Sequence, residues 1–231
     1  MLKETLRQYA VAGLIAAILI ASYVGYLLAT GRSLELRTFN NAIANSSVVL
    51  LAITLSLGPL ARLFDVFDRY LTYRKETGIW AFLLGLTHVY LAMGPLARSG
   101  PFGFYQSRPL SAYAGLVGLV IMFGLFTISL EAIKQKLGTS LWWKLQFRGA
   151  RLAGLAILIH FGVLRWSAWG EWLKAGGLPP ASLITATIAL AVILLRLVDW
   201  SASFKKSHPQ TSSTTEMKPS ISPPVTSTPK T

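Results

Sequence analysis

Six apolar stretches, each close to the length of a bilayer crossing, constrain this chain more than any other feature. They run approximately from Tyr9 to Ala29, Ile43 to Phe64, Ile79 to Leu96, Ala112 to Leu130, Gly149 to Trp166, and Ala181 to Trp200. A hydrocarbon core about 30 Å thick requires about 20 apolar residues at a helical rise of 1.5 Å. Only 13% of the residues are charged and 53% are apolar, whereas a soluble domain carries about 25% charged residues. The expected fold is therefore all-α, an integral membrane bundle of six transmembrane helices. The first stretch is too long for a secretory signal core of about 7–15 residues, so it reads as an uncleaved helix.

Basic residues set the expected orientation. Of the 22 Lys and Arg, sixteen fall in the N-terminus, the second and fourth loops and the C-terminus. The other six are Arg32, Arg37, Arg98, Arg108, Arg165 and Lys174, in the remaining three loops. Loops rich in Lys and Arg stay on the cytoplasmic side, so both termini are expected there, which requires an even number of crossings. The net charge of +13 comes from these short clusters between apolar runs and does not point to nucleic acid; membrane lipid is the expected partner. Trp142, Trp143, Trp166, Trp169 and Trp172 flank the fifth stretch, as interfacial aromatics do.

The chain contains no cysteine. Disulfides, thiol catalysis, cysteine-ligated clusters and covalently attached haem are excluded, so any redox group is held non-covalently. Residues 1–204 are expected to form the membrane domain and residues 205–231, rich in Ser, Thr and Pro, a disordered cytoplasmic tail. No Gly-rich dinucleotide fingerprint, phosphate loop, Ser/His/Asp set or paired helix-core carboxylates occur, so a cytosolic electron donor would be a separate protein.

Three histidines are present. His208 lies in the tail, but His88 and His160 lie inside the third and fifth apolar stretches, where ionisable groups are costly and suggest function. His88 is 13 residues past Lys75 and His160 is 12 past Arg148, about 18–20 Å at helical rise. Both helices enter from the same side, so the two imidazoles share one depth and are suited to axial ligation of a haem iron. Ala81, Gly85 and Ala92 share the face of His88, and Gly149, Ala153 and Ala156 that of His160. Small residues on both faces leave room for a porphyrin. Two other readings stand beside this one: histidines bonded to neighbouring helices, and small residues that only permit close packing. A zinc site lacks Cys, Asp or Glu at that depth.

At these residues the chain resembles the ferric-reductase-like transmembrane family, and within it the haem-binding membrane subunit of the bacterial methionine sulfoxide reductase system. The likeness rests on Gly58-Pro59-Leu60-Ala61-Arg62, on Arg74-Lys75 with Gly78 and His88, on Arg108-Pro109, and on Lys136-Leu137-Gly138 with Trp143 and His160. It implies a haem b electron-transfer subunit in a bacterial inner membrane, rather than a self-contained enzyme. His88 and His160 match the axial ligands. A quinol or flavin reductase would supply electrons, and a periplasmic reductase or a metal acceptor would receive them.

The family pattern has a further histidine 13 residues before the second ligand. This chain has Phe147 there, so one haem is expected, in the outer half of the bilayer. Lys134, Lys136, Lys144, Arg148 and Arg151 form the densest basic cluster, an anchor on anionic lipid or a docking face for an electron donor. Arg62, Arg69, Asp65 and Asp68 are expected to pair within the second loop, and Arg98 and Arg108 to meet haem propionates. A reading of a different class is a haem-free membrane scaffold or small carrier, against which the lack of further charge deep in the membrane argues.

Overall fold

A computed structural model of the chain describes residues 2–97 and 103–207. Among the described residues all regular structure is helical. The order is α1 (Leu2–Ala29), α2 (Leu36–Leu63), a 3-10 helix (Asp65–Tyr73), α3 (Arg74–Met93), α4 (Gly103–Ser107), α5 (Pro109–Ile128), α6 (Glu131–Leu137), α7 (Thr139–Ala175) and α8 (Ala181–Ser207). Residues 205–207 of the expected tail continue α8, so the helix runs past the predicted boundary; the rest of the tail, with His208, lies outside the described residues, and so does Arg98.

Each apolar stretch of the sequence falls on one of the six long helices. Five of these, α1, α2, α5, α7 and α8, are long and apolar enough to cross a membrane. The sixth, α3, has 20 residues, but its charged first turn (Arg74, Lys75, Glu76) and His88 lower its mean hydropathy. The protein is a membrane protein whose lipid-facing surface follows from the exposed apolar flanks of these helices. At 37 residues, α7 is about 55 Å long, well beyond the apolar segment expected from Gly149 to Trp166.

α2 is the central helix. Within its apolar segment 78% of residues are buried inside the protein, against 17–22% for the other four. It packs on α1, α3, α7 and α8. Leu50, Leu51 and Leu55 of α2 meet Ala81, Phe82 and Leu84 of α3, Met122 of α5, and Ala150 and Ala153 of α7 in the main core. Phe82 stacks on Phe126 with ring centroids 5.2 Å apart. The helix is also unexpectedly polar: Thr38, Asn40, Asn45, Ser46, Ser47 and Thr54 are all buried. Interhelical hydrogen bonds satisfy some of these groups, whereas among the described residues Ser46 Oγ has no hydrogen-bond partner. Ser47 Oγ donates to the Ala81 carbonyl of α3 at 2.7 Å, and Thr185 Oγ1 of α8 donates to Asn45 Oδ1 at 2.7 Å.

Pro59 lies inside α2 and has no N–H to give to the carbonyl of Leu55, four residues earlier. Arg196 of α8 fills that gap, its Nε donating to the Leu55 carbonyl at 2.8 Å. A proline in one membrane helix is thereby answered by an arginine in another.

The second loop differs from expectation. It is the 3-10 helix, and Arg62 does not pair with Asp65 or Asp68. Its guanidinium reaches α8, where Nε donates to Asp199 Oδ1 at 2.7 Å and Nη2 to Oδ2. Arg69 lies over the Tyr70 ring at 4.8 Å. The reason is solvation: Asp199 is only 7% exposed and requires a counter-charge, whereas Asp65 and Asp68 are exposed and hydrated. Glu76, Arg196 and Asp199 are all buried, so the helices hold more buried charge than the sequence suggested.

Candidate functional site

The two helix-borne histidines are each held through one ring nitrogen. His88 on α3 sets Nδ1 3.0 Å from Asn40 Oδ1 of α2. That amide oxygen is an acceptor only, so Nδ1 carries the proton and the lone pair resides on Nε2. His160 on α7 reaches α5, where Nδ1 lies 2.7 Å from the backbone carbonyl of Ser111. The same tautomer follows. Ser111 Oγ lies 3.1 Å from both the Nδ1 and the backbone carbonyl of His160. Ser111 is fully buried, so this contact lies within the α5–α7 interface.

Gly115, one turn after Ser111, makes room for the His160 ring. A Cβ at Gly115 would stand 2.7 Å from His160 Nδ1. Arg108, at the start of α5, donates to the Leu164 carbonyl of α7 at 3.2 Å, closing the α5–α7 seam from the other side of His160. Arg165, five residues past His160, makes a long contact of 3.4 Å with Asn41 of α2.

His88 and His160 line one cavity. Its walls come from four helices: Ala44, Ser47 and Val48 of α2; Gly85 and Val89 of α3; Gly115, Leu119 and Met122 of α5; Ile157 and Phe161 of α7. The free space between these walls is about 90 Å³, below the range of cofactor sites. The lining is apolar apart from the two imidazoles and Ser47 and carries no carboxylate. Among the described residues, no three or more His, Cys, Asp or Glu side chains converge to hold a metal ion. The donor set is thus two imidazoles with Nε2 lone pairs in an apolar cleft. These residue types suit haem: two imidazoles that could serve as its ligands, each ring held by a hydrogen bond at Nδ1.

Of the residues expected on the histidine faces, the structure brings Gly85 to the cavity. Ala81 and Ala153 sit in the adjoining core, and Ala153 and Ala156 face α5, within 4 Å of where a Gly118 side chain would begin. Asn40, Ser111 and Gly115 were not anticipated. Asn40 precedes the apolar run that began at Ile43, whereas α2 begins at Leu36. Polar residues flanking an apolar run at histidine depth were the available signal.

A second cavity lies beside the first, and Met122 lines both. It is flanked by Arg74, Lys75, Trp142, Trp143 and Gln146. Next to it, Phe147 occupies the position where the family pattern carries a histidine. Its ring is surrounded by the guanidiniums of Arg151 at 4.9 Å, Arg196 at 5.2 Å, Arg74 at 5.6 Å and Arg62 at 5.8 Å.

The sequence profile described as ferric reductase like transmembrane component matches residues 42–157. The match covers half of the chain, takes in His88 and the α2–α3–α5 part of the cavity, and ends three residues before His160. No curated protein matches the chain. With its helical membrane fold and its paired histidine cavity, the chain belongs to the ferric reductase like transmembrane component family.

Proposed function

We propose that this protein is a membrane electron-transfer protein that holds one haem b between His88 and His160. The observation that carries the reading is that both imidazoles line one apolar cavity with Nδ1 committed to Asn40 and to Ser111. Bound there, haem supplies a one-electron centre, and two histidine ligands favour electron transfer over oxygen chemistry. The chain's own part is to orient the two rings and to keep water away. Asn40 fixes the tautomer of His88, and the Ser111 carbonyl fixes that of His160. Leu119, Met122, Ile157 and Phe161 keep the cleft apolar, which sets the dielectric around the site.

In this reading all six long helices cross a bacterial cell membrane, α3 included, with both termini in the cytoplasm. Residues 1–204 form the membrane domain and residues 205–231 a tail. The basic residues around Phe147 then lie at the cytoplasmic end. The charge distribution between loops supports that orientation. Membership of the ferric-reductase-like family supports the electron-transfer role. The likeness to the membrane subunit of the methionine sulfoxide reductase system further suggests a quinol or a flavin reductase as donor, and a periplasmic reductase or a metal as acceptor.

A single haem is the second part of the proposal. Phe147 offers no ligand, and four guanidiniums crowd its ring. A pyridine haemochrome assay on purified protein, normalised to chain concentration, tests this. One haem per chain is expected. Two would remove the single-site reading, and none, after expression with ample haem, would favour a haem-free scaffold.

A further inference from the structure

Four helices each send one arginine to the same place. Arg62 comes from α2, Arg74 from α3, Arg151 from α7 and Arg196 from α8, and all four guanidiniums lie within 5.8 Å of the Phe147 ring centroid. The aromatic faces stabilise cations, but one ring has only two faces. The ion pairs of the described residues bring a single carboxylate to the group, Asp199, paired with Arg62. Arg196 is 5% exposed. Its Nε is used by the Leu55 carbonyl, and among the described residues its Nη1 and Nη2 are buried without a hydrogen-bond partner. Buried guanidinium groups left so are costly, and like charges at this separation repel.

The group also adjoins a place for an apolar tail. Arg74 belongs both to the arginine group and to the wall of the second cavity. That cavity holds about 190 Å³ of free space and is walled by Leu51, Phe82, Leu125 and Phe126. Arg74 packs beside Gly58 of α2, its Nη1 at ordinary contact distance, 3.8 Å, from where a Cβ would be. Arg62 and Arg151 remain exposed at the rim.

We infer that this arginine group is a binding site for a phosphate-bearing anion. Arg62, Arg74 and Arg151 contact the phosphate, and Arg196 beneath them adds to the field. Guanidinium forks match phosphate oxygens in geometry and charge. The adjoining apolar cavity favours a phospholipid, whose headgroup would sit on the arginines while an acyl chain enters the cleft. A soluble phosphate shares the same headgroup chemistry. Basic pockets between membrane helices are known binders of anionic lipid headgroups. The site is independent of whether haem binds at His88 and His160.

The test uses the full chain, delipidated in a neutral detergent, and reads thermal unfolding during titration. One arm adds phosphatidylglycerol against phosphatidylcholine. The other adds inorganic phosphate against chloride at equal ionic strength. Arg151→Gln and Arg74→Gln are compared with Arg148→Gln, which removes the same charge from the same helix end but lies outside the group. Saturable stabilisation by phosphatidylglycerol is expected, weakened at least tenfold in Arg151→Gln and Arg74→Gln and retained in Arg148→Gln. Stabilisation by inorganic phosphate alone, with the same variant pattern, assigns the site to a soluble phosphate. The inference is overturned if neither anion stabilises the protein, if phosphatidylcholine acts as well as phosphatidylglycerol, or if Arg148→Gln weakens binding as much as Arg151→Gln.

Discussion

Asn40 of α2 and His88 of α3 meet at 3.0 Å, side-chain oxygen to Nδ1, so the orientation of one candidate ligand is decided by a different helix from the one that bears it. A ligand histidine whose outer nitrogen is tied loses little freedom on binding, and loss of such a partner costs about 10–100-fold in affinity for metal sites. Asn40→Leu should weaken haem retention by about that factor, while Asn40→Asp, which keeps an acceptor oxygen, should retain it. Haem titration into apoprotein measures both. Equal affinity in wild type and Asn40→Leu would mean that the ring is oriented by something else.

The second ring depends on a missing side chain. Gly115→Ala would bring a methyl group to 2.7 Å from His160 Nδ1, closer than any ordinary contact, so the ring must leave the Ser111 carbonyl. Gly124 lies on the same helix with nothing within 4 Å of its Cβ position, and Gly124→Ala is the matched control. The expected result is loss or shift of the haem spectrum in Gly115→Ala, with Gly124→Ala unchanged. A normal spectrum in Gly115→Ala would separate His160 from the site.

Much of this architecture is legible in the sequence. Apolar length placed every long helix, because the bilayer demands it irrespective of packing, and matched spacing from Lys75 and Arg148 placed His88 and His160 on one cavity. The hydrogen-bond partners were not legible. Asn40 and Ser111 are ordinary polar residues whose role is set by which helices touch. The pairing of Arg62 with Asp199 was also hidden, since it joins residues 137 positions apart. Local sequence favoured Asp65 and Asp68, and burial of Asp199 decided against them. The small residues Ala81, Ala153 and Ala156 illustrate the ambiguity of helix-face patterns, for they pack helices together beside the cavity.

Pro59 and Arg196 form a pair that a double-mutant cycle can isolate. Arg196→Met leaves the Leu55 carbonyl without the donor that replaces the proline's missing N–H, a cost of about 1–3 kcal/mol at that carbonyl, while it also removes the buried, unpartnered Nη1 and Nη2 in both backgrounds alike. Pro59→Ala restores a helical N–H to that carbonyl. Arg196→Met should therefore destabilise the Pro59→Ala background less than it does the wild type, read as the shift in unfolding temperature in detergent. Identical costs in the two backgrounds would show that Arg196 does not serve that carbonyl.

The ligand pair is tested most directly by reduced-minus-oxidised visible spectra of the purified protein beside His88→Ala and His160→Ala. A bis-histidine haem gives a six-coordinate, low-spin b-type spectrum in the wild type, and each variant should lose it. A b-type spectrum that persists in either variant, or a colourless wild type expressed with ample haem, would contradict ligation by His88 and His160.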